Sequence, residues 1–126
     1  MKLLTPLARV KGLGSARDGT HHWWAQRITA VALVPLTIWF MLSLVCLSGM
    51  EYRETVEWFQ SPLRSALMIL FIFSVFYHAI LGMQVILEDY VHCDVIKIIS
   101  IILFKFIMIF AGLAGVVSIL KIYLGL

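Results

Sequence analysis

The chain has 126 residues, of which 62% are hydrophobic and only 13% are charged, and this composition excludes an ordinary soluble globular domain. A soluble surface needs about a quarter or more charged residues, so the sequence indicates an integral membrane protein with little mass outside the bilayer. The net charge of +3 comes largely from the N-terminal tail, so it bears on membrane topology and does not indicate nucleic-acid binding.

The first 20 residues carry four basic side chains and lack the apolar segment of a cleavable signal peptide. The two cysteines, Cys46 and Cys93, are predicted at opposite ends of the helices described below, too far apart for a disulfide. No Cys/His spacing typical of a zinc site is present.

Three charge-poor stretches are long enough to cross a hydrocarbon core of roughly 30 Å. They predict transmembrane helices at about residues 26–48, 63–88 and 96–122. Helices satisfy their own backbone groups in lipid, and no alternating pattern suggests a barrel, so we predict an all-α membrane protein. One membrane-anchor domain, residues 1–126, accounts for the whole sequence.

The first predicted helix contains Pro35, which membrane helices tolerate and which can kink them. The following loop, residues 49–62, mixes glutamates and an arginine with Trp58 and Phe59. This mixture predicts a short amphipathic helix on the membrane surface. Pro62 then fits the start of the second long helix.

The distribution of lysine and arginine predicts that the N-terminus lies inside and the C-terminus outside. In this orientation six basic residues lie inside and three outside: Lys2, Arg9, Lys11, Arg17, Arg27 and Lys97 against Arg53, Arg64 and Lys121. Trp23 and Trp24 suit the inner aromatic belt, whereas Tyr52, Trp58 and Tyr123 suit the outer one.

His78 lies deep in the second span, about 18 Å along the helix axis from the inner end of that span. An ionisable group inside a bilayer is expensive, and an imidazole there is a natural ligand for haem or a metal. Helical phase places Ser74, Gly82, Val85 and Asp89 on the same stripe as His78. A glycine one turn from the histidine would let a flat macrocycle approach the helix. The alternative is a core histidine that is hydrogen-bonded to a neighbouring helix.

Three further residues are predicted at the inner interface. Asp89 and Tyr90 could hydrogen-bond a polar headgroup, although helices also commonly end with such residues at the aromatic belt. Arg27 could hold a haem propionate or polarise a quinone carbonyl, or it could be an interfacial anchor. His21 and His22 are poor candidates for a second axial ligand, because they lie near the interface.

The third span carries one charge, Lys105, which could snorkel inward or pair with a carboxylate or propionate inside the bundle. It also carries small residues at helical spacing: Ala111, Gly112, Ala114, Gly115 and Ser118. This spacing predicts close helix packing against a partner protein.

Two patterns carry a resemblance to a known family. One is the first-helix segment Gly19-Thr-His-His-Trp-Trp-Ala-Gln-Arg27-Ile-Thr-Ala-Val-Ala-Leu, and the other is His78, ten residues, then Asp89-Tyr90. In a three-helix chain with a basic tail, they resemble the small haem-b-binding membrane anchor of succinate dehydrogenase (respiratory complex II), in its alphaproteobacterial and mitochondrial form.

The resemblance implies that His78 is one axial ligand of haem b and that the other comes from a second haem-b anchor, also with three helices. It implies that Tyr90 hydrogen-bonds ubiquinone, that Asp89 supports this site, and that Arg27 lies near the haem propionates and the quinone. An iron–sulfur protein and a flavoprotein would complete the enzyme. The chain itself has no dinucleotide fingerprint and no cysteine ligands for clusters, which fits a non-catalytic anchor.

The implied function is therefore anchoring and electron transfer in succinate:ubiquinone oxidoreductase, in the tricarboxylic acid cycle and aerobic electron transport. The implied location is a bacterial inner membrane or the mitochondrial inner membrane. Three alternatives stay open: a fumarate reductase-type anchor, a non-redox scaffold with a merely packed His78, and a small transporter. The transporter is disfavoured because the chain has no repeated half.

Overall fold

A computed structural model of the protein describes residues 16–126, with side chains from Thr20 onward. It contains four helices: α1 (Ala16–Leu47), α2 (Tyr52–Phe59), α3 (Pro62–Tyr90) and α4 (Asp94–Leu124). The part of the chain that is described holds no strand, so the predicted all-helical class is confirmed. Lys2, Arg9 and Lys11 of the basic tail lie outside the described residues.

The three long helices have the length and composition of membrane spans, as predicted. The spans are Thr20–Leu47, Pro62–Tyr90 and Asp94–Leu124, with 28, 29 and 31 residues. At 1.5 Å per residue they measure roughly 42–47 Å, which exceeds the hydrocarbon thickness. Only 6% to 17% of their most apolar windows is buried within the chain, so lipid or partner proteins must cover the rest. The chain is a multi-pass membrane protein.

The helices extend beyond the stretches that hydropathy marks. The first predicted span starts near residue 26, whereas α1 already includes Ala16. The other two helices are one or two residues longer at each end than the predicted spans. Hydropathy marks where the hydrocarbon begins, but backbone hydrogen bonding continues into the interfacial segment because no proline interrupts it there.

The short helix α2 lies between α1 and α3, as the amphipathic loop predicted. Its first turn is fixed by the Glu54 carboxylate, which accepts the backbone N–H of Glu51 at 3.1 Å. Arg53 and Glu57 pair at 3.1 Å on its exposed side. Pro62 occupies the first turn of α3, where its missing N–H leaves no bond unmade.

The best-packed region lies where α2 covers one end of the bundle, which we call the capped end. Trp58, Met68 and Ile119 form its buried core. Trp58 stacks on Trp39 of α1 with ring centroids 6.1 Å apart. The guanidinium of Arg64 lies 5.2 Å from the centre of the Trp58 ring. Residues from all four helices therefore meet at this end.

The opposite end, which we call the open end, contains the first turns of α1 and α4 and the last turns of α3. Helix α3 is central in the bundle and packs on α1 and on α4. No short helix covers the open end in the described chain. Side-chain packing is therefore concentrated at the capped end, and the open end is left for other groups.

The small residues of α4 were predicted to pack against a partner protein, but two of them pack within the chain. A Cβ on Gly112 would lie 3.4 Å from Phe76, and one on Gly115 would lie 3.3 Å from Ile72. Both glycines thus pack on α3 of the same chain, and the prediction that the stripe packs on a partner protein was wrong for them. Ala114 on the same helix is exposed. Small-residue spacing reports close helix approach and does not identify the partner helix.

The proline, the two cysteines and the lysine that stand out in the spans or at their ends make few contacts within the described chain. Pro35 is exposed within α1, which is helical on both sides of it. Cys46 and Cys93 are free thiols, as predicted. Lys105 is half-buried on α4 and makes no hydrogen bond or ion pair within residues 20–126.

We expect Trp58→Ala to lower the free energy of unfolding by about 3–5 kcal/mol, because it removes the ring that joins α1, α2 and α3. Chemical denaturation of the purified protein in detergent micelles measures the change. Tyr52→Ala is the matched control, since Tyr52 is an aromatic residue on the same helix with 87% of its surface exposed. Equal losses in the two variants would contradict the assignment of the core.

Candidate functional site

His78 of α3 faces α1 and contacts it through both ring nitrogens. Its Nδ1 lies 2.9 Å from the Thr29 hydroxyl. Its Nε2 lies 3.5 Å from the side-chain nitrogen of Gln26, at the limit of a hydrogen bond. The histidine is half-buried. Nδ1 therefore has the hydrogen bond to a neighbouring helix that a packed core histidine would make, whereas Nε2 has only a weak partner.

The hydrogen bonds of Thr29 favour one tautomer of the ring. The Thr29 hydroxyl donates its single proton to the backbone carbonyl of Ala25 at 2.8 Å, with the Gln26 carbonyl at 3.1 Å. The hydroxyl is then placed to accept from His78, which favours the tautomer with the proton on Nδ1. In that tautomer Nε2 carries a lone pair, which the Gln26 amide approaches at 3.5 Å and which is the form of imidazole that binds a metal.

A groove of about 730 Å³ lies between α1 and α3, toward the open end from His78. Gln26, which contacts the histidine ring, forms part of its wall. Side chains of both helices line it: His22, Trp23, Gln26, Gly82, Gln84, Val85 and Glu88. A Cβ added to Gly82 would lie 3.5 Å from the Gln26 side-chain nitrogen. This is an ordinary van der Waals distance, so the backbone of Gly82 and the Gln26 side chain form adjoining parts of the groove wall, one turn from His78.

Two polar atoms of the groove lack hydrogen-bond partners. His22 Nε2 and Gln26 Oε1 are buried and have no partner among the described residues. An unmade hydrogen bond of this kind costs roughly 1–3 kcal/mol, so such atoms usually mark a place for a polar ligand. Together with His78 Nε2 and the side-chain-free surface of Gly82, they fit a flat macrocycle that carries polar groups. The residues therefore fit the haem that the sequence suggested.

The described residues contain no group of three or more His, Cys, Asp or Glu that could hold a metal ion. A metal site made by this part of the chain alone is therefore not observed. A haem is compatible with this finding, because its macrocycle supplies most of the ligands and needs only axial ones from protein. His78 is placed to supply one such ligand, and a further imidazole among the described residues, that of His22, lines the groove.

Three polar residues on α1 were missed as site residues by the sequence analysis. His22, Gln26 and Thr29 are spaced four and three residues apart, which places them on one face of a helix. They form a polar stripe that faces His78 and Gly82. The sequence prediction treated His22 only as a poor candidate for an axial ligand; the spacing of the stripe is visible in the sequence, but it does not show which neighbouring helix the stripe faces.

The other predicted site residues lie outside this groove, on the protein surface. The guanidinium of Arg27 lies 5.2 Å from the centre of the Trp23 ring. Asp89 and Tyr90 are exposed at the end of α3, and 77% of the Tyr90 surface is accessible. No hydrogen bond or ion pair joins Arg27 to either of them within residues 20–126. A pocket around Tyr90 would need walls from another protein.

Comparisons with known proteins bear on this arrangement. Residues 1–119 match the family model described as succinate dehydrogenase/fumarate reductase transmembrane subunit. One relative, a Rickettsia bellii protein named succinate dehydrogenase hydrophobic membrane anchor subunit, is 32% identical over 113 residues, covering 87% of this chain and 90% of that protein. The Paracoccus denitrificans protein of the same name is 34% identical and covers 71% and 70%. The succinate dehydrogenase membrane anchor subunit of Reclinomonas americana is 35% identical and covers 74% and 80%.

Proposed function

The chain belongs to the family of succinate dehydrogenase and fumarate reductase transmembrane subunits, and from this membership we propose that it anchors succinate dehydrogenase and helps bind haem b and ubiquinone. The single observation that carries the haem proposal is the half-buried His78, whose Nδ1 is held by Thr29 and whose Nε2 has only a 3.5 Å contact to Gln26, a residue of the groove wall. The names of the relatives favour succinate dehydrogenase over fumarate reductase. The family membership argues against the scaffold and transporter alternatives.

In this proposal His78 Nε2 would hold the haem iron, and Gly82, one turn away, would let the macrocycle approach the helix. The amide of Gln26 touches Nε2 at 3.5 Å, and its flexible side chain can turn away. Gln26 and His22 then direct their unpartnered polar atoms to the bound group. Haem b supplies a one-electron carrier at this position.

The second axial histidine belongs to another membrane protein in this proposal. The large exposed apolar surface of α1, α3 and α4 suits burial against a second three-helix haem-b anchor. The iron–sulfur protein and the flavoprotein of the enzyme would dock at the membrane surface. The chain would thus have no catalytic residue for succinate oxidation and would contribute to the quinone site.

Ubiquinone binds near Tyr90 in this proposal, because the exposed hydroxyl at the end of α3 can donate to a quinone carbonyl. The Asp89 carboxylate beside it would support the site by orienting polar groups or by passing protons. Arg27 lies toward the same end of the bundle, where its charge would favour a haem propionate or a quinone oxygen. All three side chains are exposed in this chain and free to meet a partner protein.

The membrane in this proposal is a bacterial inner membrane, or the mitochondrial inner membrane, with the N-terminus and Tyr90 on the inner side. The excess of lysine and arginine on that side supports the orientation. The same side carries the open end of the bundle, so the groove and the quinone residues would face the iron–sulfur protein and the flavoprotein.

His78→Ala is expected to abolish or strongly weaken the reduced haem-b absorption bands of the assembled complex, because the iron loses an axial ligand. A reduced-minus-oxidised difference spectrum, scaled to the flavin content, measures the loss. His92→Ala is the matched control, since His92 is exposed outside the helices. Unchanged bands in His78→Ala would remove this residue as a ligand.

Gly82→Leu is expected to weaken haem retention by about 1–3 kcal/mol, roughly a five- to hundredfold loss of affinity, because the new side chain enters the groove. Haem content after purification and dialysis measures the change. Ala66→Leu adds a bulky side chain at an exposed position near the capped end of α3 and should retain haem. Full haem content in Gly82→Leu would mean that the macrocycle lies elsewhere.

Tyr90→Phe is expected to lower quinone reduction roughly two- to tenfold, the effect of one lost hydrogen bond. Succinate oxidation by an artificial dye acceptor should stay near the wild-type rate, since it bypasses the quinone. Tyr52→Phe, at the other end of the bundle, is the control. Equal loss of both activities in Tyr90→Phe would point to failed assembly rather than to a quinone contact.

A further inference from the structure

The Thr29 hydroxyl is the one group that holds His78 in a defined ring orientation within the described chain. It lies 2.9 Å from Nδ1 and donates at 2.8 Å to the Ala25 carbonyl, so it is placed to accept from Nδ1–H. The second contact of the ring, to Gln26, is 3.5 Å long and is the contact that a ligand would displace. The Nδ1 contact can persist in a liganded state.

We propose that Thr29 is a positioning residue that fixes the tautomer of His78 and tunes the haem iron through the imidazole. This inference rests on the proposed function, in which His78 Nε2 ligates the haem. Metal-bound histidines almost always donate their other N–H to a nearby acceptor, which orients the ring and makes it a stronger donor to the metal. Thr29 supplies that acceptor from the neighbouring helix.

The chemistry of threonine suits this role. Its branched Cβ restricts χ1, and the bond to Ala25 directs the hydroxyl proton along α1, away from the ring. The oxygen lone pair therefore stays directed at His78. A hydroxyl whose proton was free could instead donate to Nδ1 and place the ring proton on Nε2, which would block ligation.

The depth of Thr29 and His78 in the membrane spans increases the cost of losing the hydroxyl. Thr29 and His78 are both half-buried in apolar helices, nine residues or more from the ends of their spans at the open end. Water cannot readily replace the lost hydroxyl at this depth. Loss of the hydroxyl would leave Nδ1–H unpaired or let the proton move to Nε2, and both outcomes weaken the bond from Nε2 to a metal.

The test compares Thr29→Val, Thr29→Ser and Thr37→Val in the assembled complex. Valine keeps the shape of threonine without the hydroxyl, and serine keeps the hydroxyl. Thr37 is a half-buried threonine two turns along α1 that makes no side-chain hydrogen bond within the described residues, so its valine variant controls for the substitution itself. The readouts are the haem midpoint potential, the low-spin ferric resonance spectrum and haem content.

For Thr29→Val we expect a higher midpoint potential, because a weaker imidazole donor stabilises ferric iron less, and a ten- to hundredfold loss of haem affinity. Thr29→Ser and Thr37→Val should match the wild type in all three readouts. Wild-type potential and resonance spectrum in Thr29→Val would overturn the proposal.

If Thr29→Val retains no haem, its midpoint potential cannot be measured, and the serine variant then distinguishes a role of the hydroxyl from a role of packing. A wild-type potential in the serine variant supports the role of the hydroxyl, and loss of haem in both variants shows that threonine acts through packing and overturns it. Failure of the proposed function has a different signature, because His78→Ala would then keep the wild-type haem spectrum whatever Thr29 does.

Discussion

The fold and the site both depend on the cost of leaving a polar group unpaired where water is absent. Backbone groups meet this demand by forming long helices, so the chain consists of three spans and one short surface helix. Side chains meet it by local bonds, as when Ser43 donates to the Trp39 carbonyl on its own helix. At His78 the ring nitrogen finds its hydrogen-bond partner on a different helix, so this contact shows how α1 and α3 are rotated against each other. The unpartnered atoms of His22 and Gln26 are exceptions to the same rule, and exceptions of this kind mark sites.

Packing is uneven along the bundle, and the unevenness positions the site. The aromatic core around Trp58 joins the four helices at the capped end, and the glycines of α4 bring it close to α3 in the middle. Toward the open end the contact between α1 and α3 becomes polar, and a groove replaces side-chain packing. A rigid capped end can thus hold the two walls of the groove in register while a cofactor and partner proteins complete the other end. The exposed apolar faces of the helices are consistent with such completion.

Sequence reasoning predicted the elements that depend on periodicity along one helix. The spans, the amphipathic α2, the deep His78 and the placement of Gly82 one turn away all follow from helical spacing and hydropathy. It could not predict that the polar stripe of α1 meets His78, because spacing along one helix does not record how that helix is rotated against its neighbour. Thr29 and Gln26 were missed for this reason. The small residues of α4 were assigned to the wrong neighbour because their spacing specifies only a short distance between helices.

His78 and Tyr90 differ in how far the chain itself holds their side chains in place. His78 is oriented by its own chain before any partner binds, since α1 supplies the acceptor for Nδ1. Tyr90, Asp89 and Arg27 have no such support and stand exposed at the open end. A redox centre needs a fixed ligand, because its potential follows from the ligand field, whereas a quinone must enter and leave its site. In the proposed function this difference would couple quinone binding to assembly, while the orientation of His78 would already be set within the chain.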